Sequence, residues 1–191
     1  MIAICGDLDG HGRGERLAAS IAGRAAGAGA AVQVVGIIPD GPDGDARLLQ
    51  LAASGIGHAA VLRTRARSVE RADLDLALRY LPDVRVVIAA ELVPAVFAAV
   101  VEAVAFAGAS LIVVNAESVG VSVDAALPES AIVLAAPASD PDGTFAGFVA
   151  AFAVRLDAGD PTAEAWDDTV RSLAVDAVSR GQDRPRSAAD R

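Results

Sequence analysis

Six apolar runs of strand length recur along this chain, and longer helical patterns separate most of them. The runs are Ile2–Cys5, Val32–Ile37, His58–Leu62, Val84–Ala89, Leu111–Val114 and Ala131–Ala135. Most are apolar along their length instead of alternating, which marks strands covered on both faces. Helical patterns occupy Glu15–Ala28, Asp43–Ser54, Leu74–Tyr80 and Val93–Ala107 between them, then Pro141–Ala158 and Thr162–Ser179 after the last. Such repetition predicts a three-layer α/β fold, a mostly parallel sheet flanked by helices with right-handed crossovers. Gly108 and Gly159 fall where helices should stop, and Asp160 or Thr162 is placed to cap the final helix. The chain has 191 residues, enough for one domain with a sizeable core. A single domain over 1–179 is expected, followed by a disordered polar tail over 180–191.

Composition narrows the chemistry. The chain is 53% hydrophobic but only 4% aromatic, so small aliphatic side chains must fill the core, which suits helices lying close on a sheet. A net charge of −9 argues against nucleic-acid or anionic-membrane surfaces. All 16 basic residues are Arg, which excludes a lysine Schiff base or a P-loop lysine. The lone cysteine, Cys5, rules out an intramolecular disulfide and sits in an apolar strand, where a buried inert thiol is expected. The longest apolar stretch, Val84 to Ala109, is broken by Arg85, Glu91, Pro94 and Glu102, too polar for a membrane span. With no basic leader at the start, a cytoplasmic protein is the expectation.

Candidate chemistry gathers at two strand ends. The segment Asp140-Pro141-Asp142-Gly143-Thr144-Phe145-Ala146-Gly147 carries the last strand into a helix. Free backbone N–H groups at such a junction favour an anion, yet two carboxylates stand there. One reading makes Asp140 an N-cap, Pro141 a first-turn proline and Asp142 an acid favoured by the helix dipole. A second makes Asp142 a catalytic base; a third makes the pair a cation site. Asp7 and Asp9, with His11, lie just beyond the first strand, at the edge where open sheets bind ligands. They serve either as a solvated turn or as substrate-binding groups. The acidic turn Asp40, Asp43, Asp45 reads as structural, and His58 as an edge residue. Arg63, Arg65, Arg67 and Arg71 read as a solvated cluster pairing with Glu70 and Asp73, and Trp166 with Phe145, Phe148 and Phe152 as a packing face.

Three ordered segments carry a resemblance. They are Val35-Gly36-Ile37-Ile38-Pro39-Asp40-Gly41-Pro42-Asp43-Gly44 running on to Leu49, then Glu91-Leu92-Val93-Pro94 with Leu111 to Ala116 behind it, and Gly143-Thr144-Phe145-Ala146-Gly147-Phe148. Over roughly 1–179 the chain resembles the ribokinase-like (PfkB) carbohydrate kinases. The resemblance implies a reduced ribokinase-like fold, ATP and Mg2+ as cofactors if the chain is active, and a sugar or nucleotide as small-molecule partner. It places Asp140, Gly143, Thr144 and Gly147 at an anion-hole or nucleotide-binding helix tip, and Asp7 and Asp9 at sugar hydroxyls. The departures are equally specific. Gly143 stands where the family has its catalytic Asp, and Asp140 and Asp142 replace the two anion-hole glycines. No segment is long enough for the family's sugar lid, and Asn115-Ala116-Glu117 has the wrong spacing for its magnesium motif.

These departures imply a divergent relative of the sugar kinases, impaired or inactive in phosphoryl transfer, that keeps sugar or nucleotide binding. Two alternatives stay open. One is an active ATP-dependent carbohydrate kinase with Asp142 as base. The other is a non-catalytic module that forms a homodimer through an apolar helix face.

Overall fold

Apolar side chains on both faces of most strands leave the sheet no stable place except between two helical layers. The computed structural model describes residues 1–6, 8, 13–64, 70–81, 83–116 and 127–182. In chain order these form β1 (Ile2–Gly6), α1 (Arg13–Gly27), β2 (Val32–Pro39), α2 (Pro42–Ala53), β3 (Gly57–Thr64) and α3 (Arg71–Arg79). They continue as β4 (Val86–Ala90), α4 (Pro94–Ala107), β5 (Ser110–Ala116), β6 (Ile132–Ala136), α5 (Thr144–Ala158) and α6 (Thr162–Gln182). The strands make one sheet in the order β3-β2-β1-β4-β5-β6, parallel at every pairing. The expected three-layer α/β architecture is present.

Two apolar clusters lie on either side of the sheet. Ile2, Ile4, Val34, Ile88 and Ile112 face α1 and α5 through Ile21, Ala25, Val149 and Phe152. Leu48 and Leu51 of α2 pack against the same cluster. On the opposite face Ala3, Cys5, Val87 and Val113 meet Leu74 of α3 and Phe97 and Val100 of α4. Cys5 is buried, and burial pushes its thiol up to about 12, as an inert core thiol requires. Trp166 of α6 sits edge-on to Phe148 and Phe152 of α5 at 5.0 and 5.5 Å, the packing face expected of it.

Gly108 and Gly159 end α4 and α5 in the left-handed conformation, which costs glycine nothing. The last helix continues to Gln182, beyond Ser179; residues 183–191 lie outside the described residues. The N-terminal difference at α5 matters more. It begins at Thr144, not at Pro141, so Asp140 to Gly143 form a turn ahead of the helix. No helix among the described residues is long and apolar enough to cross a membrane.

Candidate functional site

Strand order places the ligand-binding crevice of an open parallel sheet. The chain winds outward from β1 through β2 to β3, then crosses to β4 and winds the other way. The reversal falls between β1 and β4, and the crevice opens beyond their carboxyl ends. Gly6 ends β1 and pairs with Ala90, the last residue of β4. The backbone is crowded here: a Cβ on Gly36 of β2 would stand 2.6 Å from the Gly6 carbonyl oxygen.

Glu91 follows immediately, with φ at 51°. It is the one non-glycine residue with positive φ among those described. Holding a Glu there costs on the order of 1–2 kcal/mol. Its N–H donates to the Val114 carbonyl of β5 at 2.9 Å, and its Oε1 is buried. Glu91 therefore stands, with a strained backbone, at the carboxyl end of β4 where the crevice opens. Asp7, Asp9 and His11, expected just beyond β1, lie outside the described residues.

The second part of the site is the tip of α5. Gly143 precedes the helix at φ 64°, which a residue with a Cβ tolerates poorly. That turn brings Asp140 back over the helix. Its Oδ1 accepts from the Phe145 N–H at 3.0 Å, and its Oδ2 accepts from the Ala146 N–H at 2.9 Å. Both carboxylate oxygens are thus engaged by first-turn amides. These are donors that would otherwise face an incoming anion. Asp140 caps α5 as expected, but from three residues before Gly143, the helix N-cap.

Asp142 is not part of that cap. Its side chain is exposed, and its carbonyl accepts from Arg24 Nη2 of α1 at 3.1 Å. Arg24 lies across the start of α5: a Cβ on Gly143 would stand 2.1 Å from Nη2, and one on Gly147 3.4 Å from Nη1. Two openings flank the tip. One, of about 340 Å³, is lined by Leu17, Ser20, Ala136, Ser139, Asp140 and Phe145. The other, of about 600 Å³, holds Arg24, Asp142, Thr144, Gly147, Thr169 and Ser172.

Asp140, Asp142, Gly143, Thr144 and Gly147 are therefore gathered at one helix tip. Asp140 and Asp142 nevertheless face different surroundings, which makes a shared cation site a poor description of them. Among the described residues no group of three or more His, Cys, Asp and Glu could hold a metal ion. Of the arginine cluster, Arg63 pairs with Asp40 and Asp45 at 3.6 and 2.7 Å. Arg71 pairs with Asp75 at 3.8 Å and with Glu102. Arg65 and Arg67 lie outside the described residues.

Comparison with protein-family models and with curated proteins finds no match. Solved structures do match. Over 91% of this chain and 92% of its own, the structure of Sa239 superposes at a TM-score of 0.63 with 12% identity. A protein assigned as a ribokinase II from E. coli, in complex with ATP and Mg2+, covers 88% of this chain and 89% of its own at 0.62 with 10% identity. Its apo form covers 88% and 90% at 0.60, again with 10% identity. The fold is ribokinase-like. Within a ribokinase-like fold, α5 is the helix that the resemblance assigns to anion binding, and its first amides are held by Asp140.

That occupancy bears on any anion at the helix tip. A phosphate arriving at the Phe145 and Ala146 amides meets the Asp140 carboxylate already there. At roughly 4 Å and an effective dielectric near 20, one like-charge pair costs about 4 kcal/mol. As they stand, the Phe145 and Ala146 amides are taken by Asp140 and are not open to a phosphate.

Sequence reasoning did not single out Glu91 or Arg24 as site residues. Glu91 carried a usable signal, the first charged residue past a wholly apolar strand at the sheet's reversal point. Arg24 carried none, because only the packing of α1 on α5 brings it to Gly143.

Proposed function

We infer that this chain is a non-phosphorylating member of the ribokinase-like fold that binds a small polyhydroxylated molecule of the sugar class. The ligand sits at the carboxyl edge of β1 and β4, with the Glu91 carboxylate accepting from its hydroxyls. Asp7 and Asp9, which follow β1 in sequence, would supply further acceptors. A carboxylate is suited to this task because each of its oxygens takes more than one hydroxyl donor.

The observation that carries the reading is the two-point hold of Asp140 on the Phe145 and Ala146 amides. Phosphoryl transfer rests on phosphate positioning and charge neutralisation. Here a resident anion takes the positioning amides, and no lysine exists to compensate. The ribokinase II neighbour is in complex with ATP and Mg2+. For this chain, the same complex would require Asp140 to leave α5.

Thermal unfolding with a panel of sugars and polyols, and separately with ATP and Mg2+, tests the reading. At least one sugar should raise the Tm of the parent and leave Glu91→Gln unmoved, while ATP with Mg2+ has no effect. Sugar-dependent ATP consumption that disappears in Asp142→Asn would overturn the reading in favour of a working kinase with Asp142 as base.

A further inference from the structure

Arg24 and Asp142 line one groove, and neither has an ion-pair partner among the described residues. Arg63, Arg71, Arg155 and Arg171 each hold a carboxylate. Arg24 instead donates from Nη2 to the Asp142 carbonyl at 3.1 Å. That bond ties the guanidinium to the backbone of Asp142, not to its carboxylate, and engages one of five N–H donors. Gly143 and Gly147 leave the guanidinium its place on α5, because a Cβ at either would crowd it. The groove lies where α1 and α6 both pack on α5. Its volume is about 600 Å³, within the roughly 300–1,000 Å³ of small-molecule sites. Ser172 of α6 donates its hydroxyl to the Asp168 carbonyl at 2.8 Å, so its oxygen keeps lone pairs for a further donor. Ala28, Ala151 and Leu173 supply apolar wall.

We propose that this groove binds a free α-amino acid with a small aliphatic side chain. Arg24 takes the carboxylate through its remaining N–H donors. Asp142 takes the ammonium, and the Ser172 oxygen accepts another of its protons. Ala28, Ala151 and Leu173 receive the side chain. Charge complementarity selects this class of ligand. A simple anion would meet Asp142 as a like charge, and a simple amine would meet Arg24. A zwitterion satisfies both, and a dianionic phosphate is opposed most. Neither the amides held by Asp140 nor Glu91 takes part, so the groove is separate from the sugar site inferred above.

Both charged side chains are exposed, so the affinity should be roughly millimolar. Titration of isotope-labelled protein with free α-amino acids, followed through backbone amide shifts, tests the proposal. Alanine or valine should move the Gly143, Gly147 and Ser172 amides in the parent and in Glu91→Gln alike. Arg24→Ala should weaken binding about tenfold. Arg24→Lys, which keeps the charge but not the fork, should weaken it by less. Asp142→Asn should weaken binding of the free amino acid, yet bind the N-acetyl derivative, which has no ammonium, as the parent does. Amides that no amino acid moves overturn the proposal, as does binding indifferent to Arg24→Ala. Inorganic phosphate bound more tightly than any amino acid overturns it too, because the groove would then be an anion site only.

Discussion

Asp140 Oδ2 accepts a 2.9 Å hydrogen bond from the backbone N–H of Ala146, six residues further along the chain. The other oxygen takes the Phe145 N–H at 3.0 Å, so one side chain satisfies two helix-start donors. Asp140→Ala leaves both without a protein partner. Loss of a cap of this kind costs about 1–2 kcal/mol, a fall in Tm of roughly 2–8 °C for a domain of this size. Asp140→Asn keeps one acceptor and should fall between the parent and Asp140→Ala. Thermal unfolding of the three proteins checks the order.

Gly143 poses a separate question, because two effects oppose a Cβ there. The added atom would stand 2.1 Å from Arg24 Nη2, and the backbone would be held at φ 64°. Arg24 is the flexible end of an exposed side chain and can swing away at small cost. Backbone strain cannot be relieved so easily. Gly143→Ala should therefore cost about 1–2 kcal/mol, and nearly the same in an Arg24→Ala background. A double-mutant cycle by chemical denaturation reads this directly. A large rescue by Arg24→Ala would show that the steric contact, not the strain, dominates.

The layers of this fold were legible because most strands are apolar along their length, and a sheet covered on both faces explains that. All six strands and six helices stand where the patterns put them, with ends shifted by a few residues. The start of α5 was not legible to the residue. Asp140-Pro141-Asp142 has the composition of an N-cap followed by a first turn. The left-handed Gly143 instead inserts a turn and lets Asp140 reach back. Side-chain placement across elements was legible for Trp166 on Phe148 and Phe152 but not for Arg24. Arg24 sits among alanines on α1, and its approach to Gly143 and Gly147 depends on two helices distant in sequence.

Glu91 combines a strained backbone with a place at the carboxyl end of β4, a pairing usual at binding sites. Glu91→Gly removes the penalty of φ 51°, about 1 kcal/mol. Its stability should match or exceed that of the parent, because the relieved backbone offsets lost side-chain contacts. Any sugar-induced rise in Tm should vanish in the same variant. A loss of stability well beyond 1 kcal/mol would instead make Glu91 a structural residue of the β4–β5 edge.

Cys5 supplies a pH-dependent signature of the core. Burial raises its pKa from 9.0 to about 12, so the folded protein keeps the thiol protonated where the unfolded chain has lost the proton. Above pH 9 the unfolded state binds fewer protons than the folded one, and stability must fall as pH rises. This contribution is fully present below 9.0, declines by about 1.4 kcal/mol per pH unit above it, and stops changing once pH passes about 12. Cys5→Ala should lower stability at pH 8, yet show a shallower decline between pH 9 and 10.5 than the parent. Alkylation of the thiol should follow global unfolding, with negligible labelling under native conditions. Rapid native-state labelling, or identical pH slopes for parent and variant, would place Cys5 outside the core it shares with Ala3, Val87 and Val113.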